Sequence, residues 1–195
     1  MTVIIKVRGG INVNKVEPIK DIEDVKRILD VLKKKSQRNY LLALYGFYSG
    51  LRISDILPLK VKDVKNKTHI RIEEEKRGYK RDVVIPKKLR EVTAIYIIGK
   101  DNQEYLFKSR QGYNRPISST QAYRILNEAA AIAKIKTNIG THSLRKTFAY
   151  HLYKSTKDIV YVQETLGHSN ITVTKRYLGI DLDEIEDAIN KLGFI

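Results

Sequence analysis

Residues 166–180 read "LGHSNITVTKRYLGI". Gly167 interrupts two segments with helical spacing of apolar residues, "DIVYVQETL" (158–166) before it and "NITVTKRYL" (170–178) after it. A glycine at such a point ends a helix by taking up a left-handed backbone. The second segment reads as a short helix despite β-branched residues that lower helix propensity. His168 therefore stands just past a turn, and Tyr177 follows it by nine residues with basic neighbours. Tyr177 is one of twelve tyrosines, and most tyrosines in a domain of this size are packed or surface aromatics. Whether this one is a nucleophile depends on what the rest of the chain supplies.

The chain has 195 residues, the size of one domain with short appendages. With 42% hydrophobic residues it can bury a core, and the absence of cysteine excludes disulfides, thiolate metal sites and a cysteine nucleophile. No apolar run approaches bilayer length and the first residues do not resemble a signal peptide, so a cytoplasmic protein without a membrane partner is expected. The formal charge is +15. It is unevenly spread: residues 181–195 hold five acids and one lysine, a net −4, which leaves +19 on the first 180 residues. Such a body attracts polyanions, of which nucleic acid is the commonest.

The periodicity predicts a mixed α/β, mainly helical domain. A strand is expected at "TVIIKV" (2–7) and helices in 20–35, 37–50 and around "RISDILPL" (52–59). The middle of the chain changes period. "THIRIEEE" (68–75) and "RDVVIP" (81–86) alternate as strands about the glycine turn "KRGYK" (76–80), giving a small antiparallel sheet, and "EYLF" (104–107) is a candidate third strand. Helices follow at 118–135 and 141–155. The last, over 182–192, carries a stripe of Leu182, Ile185, Ile189 and Leu192. The spacing also places Tyr40, Tyr45 and Tyr48 on a buried helix face, which makes them structural.

Four motifs carry residues that could do chemistry. "GLRISD" puts Arg52 after a helix-ending glycine; "HSLRKT" puts His142 and Arg145 three apart on one helix face; "LGHSN" holds His168; and "KRYLG" holds Tyr177. The hairpin adds Lys76, Arg77, Lys80 and Arg81. His69 and His151 match none of these patterns and read as ordinary surface or core residues. In this order and spacing, the motifs resemble the catalytic domain of the tyrosine recombinases, the phage integrase and Xer-like proteins, over roughly residues 15–180.

That resemblance implies a site-specific recombinase or integrase that breaks double-stranded DNA by attack of Tyr177 on the scissile phosphate. The product is a 3′-phosphotyrosyl link and a free 5′-hydroxyl, and no metal, ATP or other cofactor is needed. Arg52 and Arg145 would hold the non-bridging oxygens bidentately. His142 would be the base for a phenol whose ordinary pKa is about 10, His168 a phosphate donor, and Lys76 the acid for the leaving oxygen. The family's lysine precedes a Thr-Gly turn, so Arg77 stands in for the threonine. Asp55 is expected to hold Arg52 or Arg145 in place. Arg77, Lys80 and Arg81 are expected DNA contacts.

Residues 1–180 would form the catalytic domain, and 181–195 a helix exchanged between protomers of a homotetramer on DNA. The separate N-terminal clamping domain of most members has no counterpart here, as in a stand-alone short recombinase or a piece of a longer chain. Two other readings are open on sequence. A non-catalytic helix-turn-helix regulator would use 158–178 as its motif but leaves "GLRISD" and "HSLRKT" unexplained. A type IB topoisomerase-like enzyme would share the first chemical step.

Overall fold

The computed structural model describes residues 16–74, 79–137 and 139–178, together with Asn190. The expected strand at 2–7, Lys76, Arg77 and, apart from Asn190, the expected helix over 182–192 lie outside the described residues.

Helix α1 (Ile22–Lys35) starts where the Asp21 carboxylate accepts the Glu23 amide N–H, with Glu23 and Asp24 in its first turn and Lys33, Lys34 and Lys35 in its last. This charge order matches the helix dipole. Ser36 closes α1 with its backbone N–H and opens α2 (Gln37–Ser49) with its side chain. Helix α2 is buried over most of its length and ends at Gly50, whose φ of +62° is the left-handed cap expected of a glycine there. Two short helices follow, α3 (Ile53–Ile56) and α4 (Val61–Val64). Strands β1 (His69–Glu74) and β2 (Tyr79–Val84) pair antiparallel, with His69 opposite Val84 and Arg71 opposite Asp82. Arg71 and Asp82 meet in two parallel hydrogen bonds of 2.9 and 3.0 Å.

Helix α5 (Lys87–Tyr96), which the sequence reading leaves unassigned, packs back on α2 through Leu89 and Thr93. The Thr93 hydroxyl reaches the Tyr45 hydroxyl at 3.1 Å. The expected third strand at 104–107 is not a strand. Tyr105 makes one isolated bridge to Lys60, and Leu106 and Phe107 bury their side chains as a loop, so the described sheet has two strands. The chain ends its described part with α6 (Ser119–Ile132), α7 (Thr141–Thr156), α8 (Ile159–Leu166) and α9 (Ile171–Leu178).

Two large apolar clusters share α2. One joins it to α3, α4, the sheet, α5 and residues 106–107. The other joins it to α1, α6, Ile139 and Leu144 of α7. Fully burying a leucine or isoleucine contributes about 1.5–3 kcal/mol, so these two clusters are the chief support of the fold. Gly46 lets α7 come close, since a Cβ there would sit 2.4 Å from Leu144 Cδ1. A third, smaller cluster of Ala149, Val162, Leu166 and Leu178 fixes α8 and α9 on α7, with the Tyr177 ring packed against it. Of the three tyrosines expected on a buried face, Tyr45 is fully buried and Tyr40 half-buried, but Tyr48 is 44% exposed. Three and eight positions from Tyr45 and Tyr40, it falls past the edge of the buried arc.

Candidate active site

The candidate site forms where three helix ends meet: the C-terminus of α2, the start of α3 and the C-terminus of α8. Arg145 joins them. It comes from the first turns of α7, is 1% exposed, and donates from Nη1 to the Gly50 carbonyl at 2.6 Å and from Nη2 to the Leu166 carbonyl at 2.8 Å. Both acceptors are last-turn carbonyls without helical partners, which carry the negative end of the helix dipole. The third donor, Nε, is buried with no hydrogen-bond partner among the described residues. Burial draws the Arg145 guanidinium down to about 10, with the Arg52 charge acting the same way, so it remains protonated at neutral pH. Gly50 is needed twice here. Its φ is left-handed, and a Cβ would meet the Phe148 ring at 2.4 Å.

The α8–α9 turn presents the other two groups. Asp158 caps α8 by accepting the Val160 and Tyr161 amide N–H groups, and Gly167 ends it with φ +68°. The chain then turns so that His168 is 9% exposed. Its Nδ1 lies 3.0 Å from the hydroxyl of Thr174, one turn before Tyr177 on α9. The rings of His168 and Tyr177 meet edge-to-face with centroids 4.8 Å apart. Desolvation, and then the charges of Arg145, Arg52 and Arg81, push His168 down to about 4. It is therefore neutral at physiological pH. The Tyr177 ring also lies 5.8 Å from the Arg145 Cζ and 5.8 Å from the Lys146 Nζ.

His142 is exposed at the start of α7. Partial desolvation holds its imidazole below the ordinary value, and Arg145, Arg52 and Lys146 add to this. Arg52 is half-buried at the N-cap of α3. Its charge reaches Arg145, His142 and His168, which places it in the same cluster. The structure thus brings Arg52, His142, Arg145, His168 and Tyr177 together from four separated motifs.

Asp55 is expected to hold Arg52 or Arg145 in place; its Oδ2 accepts the backbone N–H of Arg52 at 3.3 Å, and its Oδ1 accepts the Ser54 hydroxyl. It fixes the backbone on which Arg52 stands, and its charge favours the protonated form of Arg145 from a distance. Arg81 Nη1 donates to the Thr165 carbonyl at 2.7 Å, and its guanidinium lies 3.3 Å from where a Gly167 Cβ would stand. Strand β2 is thereby joined to the end of α8. Only an inward-facing position on β2 permits this, and the strand alternation alone does not show which helix end lies opposite. Lys80, its neighbour in β2, faces the exposed side. His69 is exposed with its Nδ1 2.9 Å from the Thr68 hydroxyl, and His151 is half-buried with its Nε2 3.1 Å from the Ile19 carbonyl, so neither belongs to the cluster. Lys146, which the sequence reading passes over, does belong to it. Its place directly after Arg145 was the available signal.

A tyrosine set against a histidine ring and a buried arginine, with a second arginine after a helix-ending glycine, is the layout of a tyrosine recombinase catalytic domain. A model described as the Phage integrase family matches residues 21–183, and the chain belongs to that family. It is 46% identical over 178 residues to the "Probable integrase/recombinase YoeC" of Bacillus subtilis (strain 168), covering 91% of this chain and 97% of that one. It is 30% identical over 176 residues to the "Tyrosine recombinase XerA" of Pyrococcus furiosus, covering 89% of this chain but 61% of that longer one. Among solved structures, a crystal structure of XerA recombinase superposes with a TM-score of 0.75 at 21% identity, over 98% of this chain and 68% of that one. The mainly helical fold with its small antiparallel sheet is the same. The helix-turn-helix regulator and topoisomerase readings are not favoured. Among the described residues no helix is long and apolar enough to cross a membrane.

Proposed function

We propose that this chain is a site-specific DNA recombinase or integrase that breaks and rejoins duplex DNA through a 3′-phosphotyrosyl link at Tyr177. One observation carries the reading: Arg145 Nε is buried beside the Tyr177 ring with no hydrogen-bond partner among the described residues, while both Nη groups are fixed on carbonyls. A buried charged donor left unsatisfied is costly, and a phosphate oxygen completes it.

In this scheme the Tyr177 hydroxyl oxygen attacks phosphorus and the bond to the 5′-oxygen breaks. The phenolic proton passes to His142, whose lowered basicity keeps it unprotonated and ready to accept at neutral pH. Arg145 and Arg52 stabilise the charge that grows on the non-bridging oxygens, and losing one such donor typically costs about 10²–10³ in rate. His168 is neutral, so a Thr174 hydroxyl donated to Nδ1 leaves the Nε2 hydrogen for a phosphate oxygen. Lys76 protonates the leaving 5′-oxygen. The ester energy is kept in the phosphotyrosyl bond, so rejoining to another 5′-hydroxyl requires no ATP, and the guanidiniums take the role a metal would have. Arg77, Lys80 and Arg81 contact DNA phosphates. The active assembly is a homotetramer joining two duplex sites, residues 181–195 pass between neighbours, and the protein works in the cytoplasm.

The test uses a pool of nicked duplexes of random sequence, so that the site need not be known. Wild type should yield an adduct that survives detergent and carries the DNA 3′-end, with or without a chelator. Tyr177→Phe should yield none while still binding the pool. An adduct formed by Tyr177→Phe overturns the assignment. On the selected duplex, Lys76→Ala should cleave poorly and recover on a substrate with a 5′-bridging sulfur; recovery by Lys80→Ala instead would move the acid to Lys80.

A further inference from the structure

Three side chains of α7 grip the segment by which the chain enters the domain. Lys146 Nζ donates to the Val16 carbonyl at 2.6 Å. The Thr147 hydroxyl oxygen accepts the Ile19 N–H at 2.9 Å, and His151 Nε2 lies 3.1 Å from the Ile19 carbonyl. Ile19 itself is buried in the cluster shared by α1, α2 and α6. Val16 lies where a Cβ on Gly140 would come within 2.8 Å of its Cγ1. Residues 16–19 are thus a strap seated across α7, about 130 residues away in the chain.

Lys146 differs from the other two grips in what else it meets. It is 8% exposed, and its ammonium lies 5.8 Å from the centre of the Tyr177 ring. Its charge is also felt at His142. Burying an ammonium is expensive, and a methionine would fill the same space without that cost. Thr147 and His151 would already hold the strap at Ile19. What the lysine adds is one cation hydrogen-bonded to the strap on one side and set 5.8 Å over the centre of the tyrosine ring on the other.

We propose that Lys146 is a positioning residue for strand cleavage, which sets Tyr177 for attack only while the strap Val16–Ile19 is seated on α7. The proposal rests on the reading of Tyr177 as the nucleophile. A misplacement of about 1 Å at an attacking atom costs about a hundredfold, so a ring held by a cation on a movable anchor is sensitive to that anchor. Whatever precedes Val16 in the chain, or binds near it, then acts on the tyrosine without touching DNA.

The experiment uses the full chain and the nicked duplex selected above. Lys146→Met should slow single-turnover adduct formation about tenfold to a hundredfold while the Kd for DNA changes less than about threefold. Lys146→Arg, which keeps a cation able to reach the Val16 carbonyl, should recover most of the rate. Thr147→Val removes the acceptor for Ile19 without touching the site, and should slow cleavage several-fold. In hydrogen exchange on the free chain, Thr147→Val should speed exchange in α9 as well as in the strap, and in a Lys146→Met background it should add nothing at α9. Cleavage by Lys146→Met within twofold of wild type overturns the proposal, as does α9 exchange that ignores Thr147→Val. If wild type forms no adduct yet the exchange coupling is present, the cleavage reading fails and the connection through Lys146 stands.

Discussion

Arg145 is both a part of the candidate chemistry and a part of the fold. A lysine there has one ammonium and cannot span the Gly50 and Leu166 carbonyls as the planar fork does. Arg145→Ala should therefore lower unfolding free energy by about 2–4 kcal/mol, measured by urea denaturation, besides abolishing adduct formation. Arg145→Lys should be destabilised less but remain cleavage-poor. His168 gives a second prediction. Its folded value of about 4 lies below its ordinary 6.5, so protons bind the unfolded chain first as the pH falls. Its contribution to stability is complete above about pH 6.5 and is lost between 6.5 and 4, each unit being worth at most about 1.4 kcal/mol. His142 is displaced the same way. Thermal melts from pH 7 to 4 should show a smaller acid loss for His168→Gln than for wild type. The sequence made these residue types and spacings legible. His142 and Arg145 share a face by helix geometry alone, and His168 follows a glycine turn. It did not show that Arg145 is buried or that Arg81 turns inward, because both depend on the α8 C-terminus, some twenty and eighty-four residues away.

Helix α7 organises the site. It carries His142, Arg145 and Lys146 in its first turns, receives α2 at Gly46, and supports α8 and α9 through Ala149. Gly46→Ala would drive a methyl into Leu144 and should cost about 1–3 kcal/mol. Gly50→Ala adds left-handed strain to a clash with Phe148, and should cost more while also moving the carbonyl that holds Arg145. Chemical denaturation of both variants, with adduct yield at matched folded fraction, separates the two effects. Most helices were readable from their period, and the β1–β2 hairpin from its alternation and glycine turn. Residues 104–107 misled because two buried side chains in succession imitate a strand; what Leu106 and Phe107 share is a loop inserted under α4 and the sheet. Tyr48 misled because a helix buries an arc, and α2 is buried over so much of it that its edge is not visible in composition.

The charge of the chain makes its own prediction. With +19 on residues 1–180, DNA affinity should fall steeply with salt, by about 0.9 in log–log slope for each phosphate neutralised. A titration of binding between low and moderate salt should give a slope of several units per protomer; a flat response would mean that the surplus of lysine and arginine does not meet phosphate. Deleting residues 181–195 should leave single-protomer binding largely intact and weaken assembly on paired sites, read by native gel shift. Loss of the fold on deletion would instead place that segment on its own domain. The double role of Arg145 also bears on how this lineage can lose its activity. Under the role proposed for Arg145, a mutation there removes chemistry and stability together. Tyr177 is half-buried against a small cluster, and a phenylalanine fills its place. Under the role proposed for Tyr177, activity is therefore lost at least cost to the fold through the tyrosine, and the arginine should outlast it in inactive descendants.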